Sequence, residues 1–342
     1  MKEKEITIYD IAEQLKISPA TVSRGLKDHP AISKKTKKLV LDAAKKMGYR
    51  SNTFASNLRR QKTNTIGVIV PRLNSSFMSD ALAGMEKMAN NSGYNLIITQ
   101  SLETEKKERL NAATMFNSRV DGLIVSLAYD TKSIAHIEPF LNKNIPVLFF
   151  DRVFEHNKCS TIVIDNHKAA YDITTHLISQ GCKTILHVTG NLSRNVYLDR
   201  LEGFKQALSE NKLPFNEENF ITTNLTPEDG IEVAQKILKM EPHPDGVFVA
   251  NDLCAAHIML ELKKNGIKIP TDIFFAGFNN DPIGTLMEPS LTTINYKGFE
   301  MGEVAVQTMI NQLSQLQDMT MTQSIVLGYE LIIRQSSLKQ TT

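Results

Sequence analysis

Along residues 8–47 apolar positions recur every three or four residues, which predicts three short helices. The first gathers Ile8, Ile11, Ala12 and Leu15 on one face. Lys16-Ile17 makes a tight turn. Ser18 then offers an N-cap and Pro19 fits the first position of a second helix, which runs to about Leu26 with Val22 and Leu26 one turn apart. A third helix starts near Ser33, places Leu39, Val40, Ala43, Ala44 and Met47 on one stripe, and stops at Gly48, a C-cap residue. Its other face carries Lys34, Lys35, Lys37, Lys38, Lys45 and Lys46. The stretch 51–64 is polar and basic and reads as a linker holding at most a short helix.

From Ile66 the period changes. Apolar runs (IGVIVP, YNLIITQ, VDGLIVSL, IPVLFF, STIVID, TILHVTG, DGVFVAND, DIFFAGF) alternate with helical stretches at 76–92, 104–118, 131–143, 166–180, 197–212, 252–265 and 298–317. Runs of this length between helices predict buried parallel strands in βαβ units. Asp121-Gly122-Leu123-Ile124-Val125 and Asp245-Gly246-Val247-Phe248-Val249 are similar segments 124 residues apart, which hints at two related α/β halves. The expected fold is a small all-α helix-turn-helix head over 1–50, a connecting segment over 51–64, and an α/β core of two doubly wound subdomains over 65–342.

Charge sharpens this division. Residues 1–62 carry 15 Lys/Arg against 6 Asp/Glu, a net of +9, while the remaining 280 carry 24 against 31, a net of −7. A basic head on an acidic body suggests a polyanion-binding module joined to something else. The composition, 42% hydrophobic and 22% charged, excludes collagen-like and wholly disordered chains. Cys159, Cys182 and Cys254 are far apart and form no CxxC pair, so neither a disulfide framework nor a thiolate metal site is expected. The charged N-terminus lacks the apolar stretch of a signal peptide, and no run approaches a membrane span. A cytoplasmic protein with no membrane association is expected.

Two short helices joined by a tight turn place the second helix in the major groove, with its early residues at base edges. Here these are Pro19, Ala20, Thr21 and Arg24. Arg24 can bond guanine O6 and N7, and Ala20 or the Thr21 methyl can touch a thymine methyl. Thr7, Tyr9, Ser18, Ser23 and the lysines are candidates for phosphate contacts. A small helical bundle with a solvated lysine face is the alternative that periodicity alone leaves open.

The segments Ile6-Thr7-Ile8-Tyr9-Asp10-Ile11-Ala12, Ser18-Pro19-Ala20-Thr21-Val22-Ser23-Arg24 and Gly48-Tyr49-Arg50 resemble the N-terminal signature of the LacI/GalR family of bacterial transcription regulators. Asn52, Ala55, Leu58, Arg59 and Thr63 match the family's hinge, and Ile66–Pro71 its first core strand. Asp165-Asn166, His176-Leu177-Ile178, Arg200-Leu201-Glu202-Gly203-Phe204, Ala250-Asn251-Asp252, Gly277-Phe278 and Pro289–Ile294 follow in family order, so the resemblance covers nearly the whole chain. There are departures. Ser51 stands where the family has proline, Ser56-Asn57 replaces its Arg-Ser, Asn279 an Asp-like position, and Asn295-Tyr296-Lys297 its Gln-Pro. The later changes fall in or near the ligand cleft and leave the effector open.

The resemblance implies a repressor that binds a palindromic operator as a homodimer. An isolated helix of about seven residues is unstable in water. Residues 52–58 are therefore expected to fold only on DNA, where paired hinge helices enter the minor groove and Leu58 wedges between base steps. Asn52 and Ala55 would lie on the same element; a flexible tether is the reading the residues alone favour. The resemblance also implies a periplasmic-binding-protein-like core with a small-molecule effector, a sugar by family habit, between its halves. Polar residues that follow apolar runs are the candidate contacts: Asp151, Asp165, Asn251 and Asn279, with Arg200, Arg194 and Phe77. Two arginines suit a carboxylate, a phosphate or a purine carbonyl. Asp165 and Asp252 could equally cap helices, and His176 is expected to be packed.

An α/β enzyme acting on a sugar is the competing class. The chain has no GxxxxGK[ST], no GxGxxG after the first strand, no HExxH and no GxSxG. Its eight histidines show no i, i+4 ligand spacing. No cofactor and no metal are expected. A core that answers to a protein partner or a purine remains the alternative to a sugar.

Overall fold

The computed structural model describes residues 6–49, 62–314 and 322–339. The chain divides into two compact units, Met1–Thr63 and Asn64–Thr342.

The first unit holds α1 (Ile8–Leu15), α2 (Pro19–Leu26) and α3 (Lys34–Met47). Each begins on a hydroxyl cap. Thr7 and Asp10 form a reciprocal capping box, Ser18 accepts the Thr21 N–H, and Ser33 accepts that of Thr36. Gly48 ends α3 at φ +69°, where a side chain would be strained. Ile11, Val22 and Val40 are fully buried, with Ala12, Ala43 and Ala44 beside them. A Cβ on Gly25 would lie 3.3 Å from Val40, so glycine lets α2 and α3 approach. Leu39 is 49% exposed, against expectation. It sits about 100° round the helix from Val40, off the buried stripe.

The second unit contains two six-stranded sheets. The first is ordered β11 (Ser324–Leu327), β5 (Ser160–Ile164), β4 (Val147–Phe150), β3 (Gly122–Val125), β1 (Thr65–Val70), β2 (Asn95–Gln100), all parallel. The second is ordered β12 (Glu330–Ile332), β10 (Thr292–Asn295), β9 (Phe274–Phe278), β8 (Gly246–Val249), β6 (Ile185–Thr189), β7 (Phe220–Thr222), with only β12 antiparallel among the paired strands. Both are doubly wound, with the strand order reversing beside their first strands, β1 and β6. This is the repeat hinted at by the two Asp-Gly segments. The central strands are buried on both faces, which explains their continuous apolar runs.

The helices of this unit are α4 (Ser76–Asn91), α5 (Glu105–Asn117), α6 (Glu138–Asn142), α7 (Asn166–Ser179), α8 (Asn195–Glu210), α9 (Pro227–Ile237), α10 (Asp252–Lys264), α11 (Pro282–Leu286) and α12 (Gly298–Ser314). The chain passes between the halves three times: after β5, between β10 and α12, and between β11 and β12. Helices α4 and α12 touch backbone to backbone. A Cβ on Gly84 or Gly302 would lie 2.0 Å from the Phe299 carbonyl or 1.9 Å from that of Ala81.

The helix expected over 131–143 is confined to Glu138–Asn142. Buried Glu108 explains why. Its carboxylate accepts the Ala128 N–H (2.7 Å) and the Thr131 hydroxyl (3.0 Å) and meets His136 Nε2 at 2.8 Å, so side chains take over the hydrogen bonding of this segment. Helix α9 and strands β7 and β10–β12 were not among the expected elements, although Thr226-Pro227-Glu228-Asp229 is a capping box with proline at the first helical position.

Candidate nucleic-acid interface and effector cleft

In the first unit the exposed end of α2 is built by its cap. Ser18 Oγ accepts the Thr21 N–H at 3.1 Å and lies 2.9 Å from the Thr21 hydroxyl. That fixes the first turn and leaves Ala20 and Arg24, four residues apart, exposed together, while Val22 and Gly25 point into the core. Pro19, Thr21 and Ser23 are half-buried. At the start of α1, Thr7 is exposed and Tyr9 is 69% exposed. Lys34, Lys35, Lys38, Lys45 and Lys46 are solvent-facing, whereas Lys37 is held by Asp28 at 2.6 Å. Asn52, Ala55 and Leu58 lie outside the described residues.

In the second unit, ligands are expected beyond the carboxyl ends of the strands where the strand order reverses. Asp151 follows β4 in the left-handed region at φ +58° and is 8% exposed. Burial raises its pKa, although Arg152 and Arg200 work in the other direction. Arg200, on α8, is 3% exposed. Its Nε donates to Asn166 Oδ1 (2.9 Å), its Nη1 to the Ala250 carbonyl (2.9 Å), and its guanidinium lies 3.5 Å from the Phe278 ring centroid. Phe77 packs on Tyr296 at 4.6 Å, and the Tyr296 hydroxyl donates to Asn279 Oδ1 at 3.1 Å. Tyr296 also borders Phe278. The fold thus brings Phe77, Asp151, Arg200 and Asn279 into one polar-aromatic cluster. A cavity of about 550 Å³ adjoins it, lined in part by Phe77, Asp80, Asn279, Asp281, Tyr296 and Glu303.

The other candidates sit apart from that cluster or are differently engaged. Asp165 is exposed and accepts the Lys168 N–H as the cap of α7. Asn251 caps α10, accepting the Cys254 N–H at 2.8 Å while its amide donates to the Leu225 carbonyl at 3.0 Å. Arg194 is 7% exposed and donates to the Thr131 carbonyl at 2.6 Å, which joins the two halves.

Tyr129, Tyr197, Asn195 and Arg152 were not taken as ligand contacts from sequence, and Asp252, read as a possible helix cap, is displaced from that role by Asn251. Arg152 bridges the halves: Nη1 donates to Glu103 (2.7 Å), Nη2 to the Tyr197 hydroxyl (3.1 Å), and the guanidinium lies 4.2 Å from the Tyr129 ring centroid. Burial works against its charge, but Tyr197, Tyr129, Glu103 and Asp151 outweigh that and raise its pKa. Tyr129 and Tyr197 meet at their hydroxyls (3.0 Å), and Asn195 joins the Asp151 carbonyl to the Val153 N–H. Asp252 is fully buried, accepts from the Thr293 hydroxyl and the Asp281 N–H, and is pushed by burial and Asp281 to a pKa of about 7. Their signal was weak: Arg152 and Asn166 are direct neighbours of candidates, but only the fold supplies their partners. Packed His176 lies 2.7 Å from the Ser337 hydroxyl. Among the described residues no cluster of three or more His, Cys, Asp or Glu suits a metal ion, and no helix is long and apolar enough to cross a membrane.

Comparison with known proteins finds a match in each unit. Residues 7–52 match the profile of bacterial regulatory proteins of the lacI family, and residues 174–337 that of a periplasmic binding protein-like domain. The chain is 30% identical to catabolite control protein A of Priestia megaterium, over 97% of this chain and 99% of that one. It is 30% identical to the ribose operon repressor of Halalkalibacterium halodurans, over 90% of each, and 28% identical to the transcriptional repressor PurR of Vibrio parahaemolyticus, over 90% and 92%. The fold matches the lac repressor dimer bound to operator and the anti-inducer ONPF, with a TM-score of 0.86, 23% identity, and coverage of 98% and 100%.

Proposed function

The chain belongs to the lacI family of bacterial regulatory proteins, and on that premise we propose that it is a cytoplasmic repressor whose grip on a palindromic operator is set by a small ligand in the core cleft. The observation that carries the reading is the exposed Ala20–Arg24 face of α2, fixed by its serine cap on a head with net positive charge. Arg24 reads a guanine in the major groove, while Thr7, Tyr9, Ser18 and the α3 lysines hold phosphates. The segment 51–64 serves as the hinge, with Asn52, Ala55 and Leu58 at the minor groove.

Two copies act together, as in the lac repressor dimer. Leu253 and Leu260 on α10 and Ile231 on α9, each more than a third exposed, form the apolar face that the second copy covers. The cleft cluster of Asp151, Arg200, Phe77 and Asn279 suits a sugar: carboxylate, guanidinium and amide for hydroxyls, aromatic rings for an apolar face. A ligand changes operator affinity only by its differential affinity for the two states of the core. The cluster is read as a binding site without catalysis, because Arg200 and Asn279 are engaged in structural hydrogen bonds.

Selection of binding sites from a random DNA pool with the full-length chain tests this. A palindrome with half-sites one or more helical turns apart is expected. Failure to enrich any sequence, with and without added sugars, sugar phosphates and purines, overturns the reading.

A further inference from the structure

The three passages between the halves enclose a cavity of about 260 Å³. Ile164 at the end of β5, Asn295–Lys297 before α12 and Leu327–Glu330 between β11 and β12 all line it. Its floor is apolar and closed to solvent: Ile164 is 5% exposed, Tyr296 5% and Met301 1%. Leu327 and Tyr329, both half-buried, complete the walls. The two tyrosines offer it rings rather than hydroxyls, because the Tyr296 hydroxyl donates to Asn279 (3.1 Å) and that of Tyr329 to Asp172 (2.7 Å). Charge among its lining residues is confined to the exposed Lys297, Glu300 and Glu330, the first two of which pair at 3.9 Å. Volume and lining select the occupant. A cavity of about 150 Å³ with apolar walls already admits benzene, so this one takes a single substituted ring. A ring finds the tyrosine faces and the Met301 thioether as favourable neighbours. A charge carried to the floor would lose its hydration with no ionised partner there, whereas a neutral polar substituent can stay at the mouth.

We propose that this cavity is a second ligand site, separate from the cleft cluster, for a neutral molecule with one aromatic ring, and that its occupant stiffens the passages between the halves. Any change in the angle between the halves must bend all three passages, and a ring wedged among them opposes the bending. The site also touches the cleft. Asn295, Tyr296, Lys297 and Glu300 line both this cavity and the one of about 550 Å³ beside the cleft cluster, and Phe77 packs on the Tyr296 ring. The proposal depends neither on the identity of the cleft ligand nor on operator binding.

Titration of the full-length protein with benzyl alcohol, followed by nuclear magnetic resonance of its methyl-labelled methionines, tests the proposal. The Met301 signal is assigned as the one missing from Met301→Leu. It should move saturably, with half-saturation at roughly millimolar concentration as fits a one-ring ligand, while that of Met240, on the loop after α9, stays in place. Backbone amide exchange over 295–298 and 327–330 should slow severalfold in the complex. Leu327→Trp and Gly328→Leu add bulk to the wall and should each abolish the saturable shift; a Cβ on Gly328 meets no atom within 4 Å, so the second is built without a clash. Cyclohexylmethanol, which lacks the aromatic face, and benzoate and benzylammonium, which carry charge, should bind at least severalfold more weakly. No saturable movement of Met301, or movement undiminished in both bulkier variants, overturns the site. Equal binding of the non-aromatic or charged analogues overturns the ligand class. Unchanged amide exchange with the Met301 signal fully shifted overturns the stiffening role.

Discussion

Asp252 makes the stability of the core depend on pH in a direction opposite to that of an ordinary salt-bridged carboxylate. It opens α10 with no exposed surface, accepting from the Thr293 hydroxyl at 2.8 and 3.0 Å and from the Asp281 N–H at 2.8 Å. Burial, and then the nearby Asp281, raise its pKa from 3.8 to about 7. Between about pH 4 and pH 7 the folded chain keeps a proton that the unfolded chain has released. Unfolding therefore binds fewer protons, and the stability present below pH 4 is lost as pH rises to 7. About 1.4 kcal/mol per pH unit over that window gives a loss of the order of 2–4 kcal/mol. Asp252→Asn keeps the shape, offers one acceptor oxygen and a donor to Thr293, and carries no proton to lose. The expected outcome is a variant close to the parent at pH 5 and more stable at pH 8. Calorimetry of the full chain should show the difference in melting midpoint widening by roughly 5–10 °C across that range. Asp281, raised to about 6 by burial and then Asp80, titrates in both proteins and largely drops out of the difference. A parent–variant difference that stays constant from pH 5 to pH 8 refutes the reasoning.

Arg24→Ala should cost about 1–3 kcal/mol of discrimination at one base pair per half-site, read from binding to single-base operator variants; an equal loss on all sequences would make Arg24 a phosphate contact. Leu58→Ala should weaken operator binding and reduce DNA bending in a gel-phasing assay, and unchanged bending removes the wedge role. Gly302→Ala forces a methyl to within 1.9 Å of the Ala81 carbonyl and should cost about 3 kcal/mol as α4 and α12 separate, seen as a lower melting midpoint. Operator affinity should fall linearly on a log–log plot against salt, with a slope that shrinks by about one for each phosphate-contacting lysine replaced.

The head was legible almost residue by residue, because its determinants are local. The caps at Ser18 and Ser33, the stop at Gly48 and the apolar stripes all act within four residues. Leu39 escaped only by its place at the edge of the stripe. The repeated α/β halves were legible from runs buried on both faces. Strands β11 and β12 are short edge strands of mixed exposure and carried little signal. In the cleft, Asp151 and Arg200 could be picked out by position after a strand and by resemblance. Arg152 could not, because its partners Glu103, Tyr129 and Tyr197 come from three distant segments. The stretch 131–143 read as one helix because the irregular course of its first part depends on Glu108, distant in sequence, reaching in to take over the hydrogen bonds of Ala128, Thr131 and His136.

The passage from β11 to β12 takes only Gly328 and Tyr329, so this stretch of the chain gives one edge strand to each sheet within nine residues. Beyond it, Ser336 bonds the Phe275 carbonyl and the Thr292 N–H, fastening the tail across two strands of the second sheet. A nonsense or frameshift mutation upstream of residue 324 would therefore unlace both halves at once, however late it falls in the coding sequence. Conversely, a single protease nick at any one of the three passages would leave two strands of the braid intact, and the fragments would part only in denaturant.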